Sequence, residues 1–184
     1  MTFVKSAARR YGVLVERELA HDVAIDPAPG YHDHLPHDLL HFVAEAEWKL
    51  DGAVFGQLAS GGDAGIFIPV DQSLVARAMR DRKRAKRAAG KPRGRRSELL
   101  TDILENAWAV RRGVAALPTD WGDRLAAARV SPGRLETVMA RVDELAEEWH
   151  ALEVGGSLTL EWPREERHGR PRPGQREAAP IRRR

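Results

Sequence analysis

Four of the chain's seven histidines fall within ten consecutive positions, His32-Asp33-His34-Leu35-Pro36-His37-Asp38-Leu39-Leu40-His41. Pro36 suits the first turn of a helix, where its missing N–H costs no hydrogen bond. On such a helix His37 and His41 lie about 40° apart and about one turn along the axis. Both imidazoles then reach a single divalent ion, zinc or a similar metal. The spacing is that of H-E-x-x-H, with Asp38 where the glutamate would be. Two histidines do not complete a site, because a third ligand is needed, and an open position as well if the metal is catalytic. Glu45 stands four residues beyond His41, yet about 12 Å along the axis from His37. It reaches His41 more readily than it shares one ion with both histidines. His34, His32 or a remote acid is the better third ligand. Asp38 and Glu45 are the candidate general bases, placed to polarise a water. Asp38 has a plainer explanation too, since a first-turn acid is favoured by the helix dipole.

The rest of this helix says which way it faces. Leu39, Phe42, Val43, Ala46 and Leu50 share one side, the expected core face. His37, His41, Ala44 and Trp48 line up on the other. A tryptophan in line with two histidines is odd on a solvated surface, because aromatics bury large apolar areas. The face is therefore either covered or lines a pocket. The competing readings are a solvated face, or histidines that only hydrogen-bond within the interhelical layer.

Residues 35–62, LPHDLLHFVAEAEWKLDGAVFGQLASGG, resemble a segment of small uncharacterised actinobacterial proteins, a likeness that brings no activity with it. The His37-Asp38-Leu39-Leu40-His41 core is also similar to the HDxxH zinc motif of the ubiquinone-biosynthesis protein family. That likeness implies zinc on His37 and His41, with Asp38 beside them. The family's pattern adds a glutamate 12 residues after the second histidine, and Ala53 stands there in this chain, so a complete ligand set is not carried over.

The elements that position this motif are legible as patterns. Residues 3–6, Tyr11–Arg17 and Val23–Asp26 read as strands; Tyr11, Val13 and Val15 alternate with Gly12, Leu14 and Glu16. The Asp26-Pro27-Ala28-Pro29-Gly30 stretch ends the third. Helices are expected at 36–50, 54–59, 72–89, 97–112 and up to Ala128. Gly65–Pro69 is a short extended piece. Ser97 is a candidate N-cap. Ser131-Pro132 opens a further helix to about Leu152, in which Leu135, Val138, Val142, Leu145, Trp149 and Leu152 form a packing seam. Leu158–Trp162 is a last strand. The fold class expected is α+β: a small antiparallel sheet of N-terminal strands plus the C-terminal strand, packed against several helices. Residues 1–162 form one domain, with an Arg/Pro-rich tail at 163–184 expected to be disordered.

Composition limits what else the chain does. It has 184 residues, 42% hydrophobic and 31% charged, with no cysteine. Disulfides, thiolate metal sites and a cysteine nucleophile are excluded. No apolar run is long enough to span a bilayer, and acids interrupt the first 30 residues, so a cytoplasmic protein is the default expectation. The net charge of +3 is unevenly spread. Arg77–Arg96 holds 11 Lys/Arg and one acid, and 163–184 holds 8 Arg and 3 acids, which leaves −12 on the remainder. Such basic segments bind nucleic acid or another polyanion by releasing counterions. No aromatic interleaves with them, so base stacking is not supported. The leading reading is a divalent-metal-binding protein, in one version a hydrolase. Its rival is a non-enzymatic interaction protein whose basic segments, Arg77–Arg96 and the tail, contact nucleic acid or an acidic partner.

Overall fold

A computed structural model describes residues 1–18, 20–30, 35–88 and 94–163, with backbone alone at 82 and 84–88. The elements run β1 (Thr2–Ala7), β2 (Arg10–Val15), β3 (Val23–Ile25), α1 (His37–Glu47), α2 (Val54–Ala59), β4 (Ile68–Pro69), α3 (Gln72–Ala88), α4 (Arg95–Arg111), α5 (Trp121–Ala128), α6 (Pro132–Ala151) and β5 (Ser157–Thr159). This is the expected α+β class. The sheet is antiparallel throughout, in the order β4-β3-β2-β1-β5. The two terminal strands close it as expected: Phe3 pairs with Leu158, and Met1 and Leu160 exchange backbone hydrogen bonds. The short piece before α3 joins the sheet as well. Ile68 and Pro69 pair with β3 at the edge, where proline's missing donor is tolerated.

One face of the sheet is the floor of the core. Tyr11, Val13 and Val15 of β2 are buried, and so are Phe3, Val23 and Leu158 beside them. The helices close over this floor. Phe42 of α1 meets Phe3 edge-on at 6.1 Å, and Trp149 of α6 meets Tyr11 edge-on at 6.4 Å. The α6 seam is buried from Leu135 to Trp149. Its start signal holds, because Ser131 accepts a hydrogen bond from the Arg134 amide and Pro132 occupies the first turn. The other end is tied to the sheet by Lys5, whose Nζ donates to the Leu152 carbonyl at 2.8 Å and lies over the Trp149 ring. A cation there satisfies a carbonyl that helix geometry leaves open.

Two boundaries differ from expectation in ways that matter for the site. Helix α4 starts at Arg95, after Gly94, so Ser97 is not its N-cap. Ser97 sits inside the first turn with its side chain buried against α1, and its hydroxyl bonds across the interface instead of to its own backbone. The β5 strand, Ser157–Thr159, also ends short of the expected Trp162, with the Met1–Leu160 backbone bonds the last to link it to the N-terminus. Among the described residues, no helix is long and apolar enough to cross a membrane. The basic run forms most of α3, which reaches Ala88; residues 89–93 and the tail from 164 lie outside the described residues.

Candidate metal centre

Helix α1 is set by its first turn. The Tyr11 hydroxyl accepts from the Asp38 amide at 3.2 Å and donates to Asp38 Oδ2 at 2.8 Å. The carboxylate expected to act as a base is thereby turned toward the sheet. Burial pushes the Asp38 carboxyl up, and the hydrogen bond from Tyr11 works against that rise. Gly30 leaves room for the neighbouring His37. A Cβ there would lie 3.3 Å from His37 Cβ, on a backbone with φ of +76°.

His37 and His41 come together as the spacing predicts. Their Nε2 atoms are 3.1 Å apart, with the rings nearly perpendicular. The far side of each ring is engaged. His37 Nδ1 is 2.9 Å from Glu105 Oε1 on α4. His41 Nδ1 is 2.8 Å from Ser97 Oγ and 3.2 Å from Thr101 Oγ1. Ser97 Oγ in turn donates to Glu45 Oε1 at 2.8 Å. A third acid completes the group, since Glu98 Oε2 lies 3.6 Å from His41 Nε2. His37, His41 and Glu98 each offer one ligand atom, all within 4.8 Å of one another.

Counting protons favours one tautomer at each ring. A carboxylate only accepts, so His37 must carry its proton on Nδ1 to bond Glu105. The Glu45 oxygens receive the Val54, Phe55 and Gly56 amides at 3.2, 2.6 and 3.3 Å. Ser97 is a fourth donor at 2.8 Å, so Glu45 accepts on every side and takes the one hydroxyl proton of Ser97. Ser97 Oγ then has only a lone pair to offer His41 Nδ1 at 2.8 Å, which favours the tautomer with the proton on Nδ1 over one that accepts from the more distant Thr101 hydroxyl. Both Nε2 lone pairs then face each other across 3.1 Å. A proton or a metal ion between or beside them makes this contact favourable, whereas two bare lone pairs at that distance repel. Zinc–nitrogen bonds of about 2.0–2.1 Å place two ligand nitrogens about 3.3 Å apart at the tetrahedral angle, close to what is found.

The surroundings are acidic and open on one side. His41 is 6% exposed, whereas the side chains of His37 and Glu98 are 37% and 71% exposed. The hydrogen bond to Glu105 raises the His37 pKa. Burial, and then the facing His37, lower that of His41. Burial raises the Glu45 carboxyl against the bonds it receives from Ser97 and three backbone amides.

Of the residues singled out from sequence, His37 and His41 meet at the centre, and His34 and His32 lie outside the described residues. Glu45 touches neither Nε2; it caps α2 and reaches His41 only through Ser97. Asp38 points at Tyr11. The remote acid that lies within reach of both histidines is Glu98. Ser97, Thr101 and Glu105 were missed, although with Glu98 they form a polar stripe at helical spacing beside the buried Leu100, Ile103, Leu104 and Ala107. No protein-family model, curated protein or solved structure matches the chain, so its function must be read from these side chains.

Proposed function

We propose that this protein binds one divalent metal ion through Nε2 of His37, Nε2 of His41 and a carboxylate oxygen of Glu98. The observation that carries the reading is the facing Nε2 pair, 3.1 Å apart, with both Nδ1 atoms engaged from behind. A histidine held at its far nitrogen by a carboxylate is the usual support for a metal ligand, and Glu105 supplies it for His37. Two imidazoles and one carboxylate suit zinc, and three protein ligands leave a position open to solvent. Hydrolysis with the metal as Lewis acid is the enzymatic form this would take. Asp38 and Glu45 do not border the open side, so in that form the nearby carboxylates are Glu98 and Glu105. Elemental analysis of protein purified without chelator should show about one zinc-like ion per chain, and the double variant His37→Ala/His41→Ala should show none. Wild type that is metal-free and takes up no zinc, manganese, cobalt or ferrous iron overturns the reading.

A second reading, compatible with the first, is carried by α3. Arg77, Arg80 and Lys83 are exposed there, and the Arg77 side chain is 78% exposed beside Asp81, the one acid of the run. We infer that this helix contacts a polyanion such as nucleic acid through its phosphates.

A further inference from the structure

The buried chain Glu45–Ser97–His41 has no need to exist if α2 merely required a cap. A Ser, Thr, Asn or Asp at the N-cap would satisfy the Phe55 or Gly56 amide locally. Ala53 stands there instead, with no side-chain bond. Glu45 accepts from both amides, out of α1 and fully buried, and a buried carboxylate carries a heavy desolvation cost unless it is well bonded. Its four donors offset that cost, and only one of them, Ser97, leads anywhere else. It leads to Nδ1 of His41.

We propose, resting on the metal reading above, that Ser97 and Glu45 are positioning residues that hold His41 with Nδ1 protonated and Nε2 bare, and that they link the metal ligand to the N-terminus of α2. The negative charge of Glu45 orients the Ser97 hydroxyl, which leaves the serine oxygen only as an acceptor. His41 must then donate from Nδ1, and its ligating nitrogen is ready before any ion arrives. The link runs both ways. An ion on Nε2 makes Nδ1–H a stronger donor, tightens the bond to Ser97, and so pins the Glu45 carboxylate in the place where the Phe55 and Gly56 amides reach it. Thr101 Oγ1, at 3.2 Å from the same nitrogen, is a poorer second acceptor that softens the loss of Ser97 without replacing it.

The test uses the full chain and zinc chloride. Ser97→Ala should keep the fold, judged by circular dichroism and thermal unfolding, and weaken zinc binding by about 10–100-fold. Ser97→Thr, which restores a hydroxyl, should recover most of that loss. In wild type, zinc should slow hydrogen exchange at Phe55 and Gly56, and in Ser97→Ala this protection should be absent. The tautomer is read without any variant. Long-range proton–nitrogen correlation on metal-free wild type, at a pH where both histidines are neutral, should show His41 protonated on Nδ1. A proton on Nε2 overturns the proposal, as does a Ser97→Ala protein that binds zinc as tightly as wild type. Wild type that takes up no zinc but shows the Nδ1 tautomer overturns the metal reading instead, and leaves Ser97 orienting a histidine that only hydrogen-bonds.

Discussion

Glu105 holds His37 by its Nδ1 at 2.9 Å, from a helix 68 residues further along the chain. That one bond acts on two equilibria in opposite directions. On the metal reading proposed above it supports the imidazole as a ligand, and it raises the His37 pKa above the ordinary value of about 6.5, so protons compete for the same Nε2. Zinc affinity should therefore still be climbing above pH 6.5 and level off only once His37 is fully deprotonated. Glu105→Gln keeps an acceptor for Nδ1 but removes the charge. At pH 8 we expect about tenfold weaker zinc binding than wild type. As the pH falls toward 6, the gap should narrow, because the variant's His37 takes up its proton at lower pH. Calorimetric titrations at several pH values check this, and a gap that stays constant or widens on acidification contradicts the assigned role of Glu105.

Gly56 is needed for a close approach. A Cβ there would lie 2.4 Å from the Asp51 Cα and 2.5 Å from the Leu50 carbonyl oxygen, both backbone atoms that cannot swing away. The Gly56 amide is also one of the donors to Glu45. Gly56→Ala should thus destabilise the protein by about 3 kcal/mol. Gly133→Ala in α6, where a Cβ meets nothing within 4 Å, should change stability by less than about 0.5 kcal/mol. Urea unfolding should show a lowered midpoint for the first, at unchanged slope, and almost none for the second. Equal midpoints would mean that the turn before α2 is not packed as described.

The local half of the centre was legible in the sequence, and the distant half was not. The i, i+4 spacing of His37 and His41 is a property of one helix, so it survives without any knowledge of the fold. Trp48 hinted that their face is covered, and Ala44 and Glu45 are indeed buried there. What covers it is α4, and nothing local to α1 announces a helix more than 45 residues later. Ser97 shows the difficulty. A serine after a glycine- and proline-rich break looks like a cap, because capping is the commonest local use of its hydroxyl. The tertiary contact with Glu45 overrides that preference, and α4 begins two residues earlier. Glu45 is the converse case. Its place on the helix correctly excludes it from sharing one ion with both histidines, but the carboxylate's bonds to α2 depend on a tight turn at 48–53 that apolar periodicity does not reveal. The sheet closed as expected because alternation is a strong local pattern, in β2 and again where Leu158, Leu160 and Trp162 alternate with Thr159 and Glu161.

The exposed basic side chains of α3 give the last expectation. Each phosphate neutralised by an arginine or lysine releases counterions, so the logarithm of the binding constant should fall linearly with the logarithm of salt concentration, by about 0.9 per phosphate contact on a duplex. For the full chain and a 20-base-pair duplex, which is longer than the roughly 25 Å of α3, we expect binding at low salt that weakens steeply between about 50 and 200 mM. Two unrelated duplex sequences should bind alike, because phosphate contacts carry no sequence information and no aromatic side chain interleaves with the run. Arg77→Glu, Arg80→Glu and Lys83→Glu together should lower the affinity at least about tenfold and flatten the salt dependence by about three contacts. His37→Ala/His41→Ala should leave the titration unchanged, since those histidines sit among Glu98 and Glu105 rather than on α3. Fluorescence anisotropy at two salt concentrations decides the matter. No binding at low salt, or binding that ignores the α3 charges, removes the polyanion reading, and binding that is lost with the histidines would place the nucleic acid at the metal centre instead.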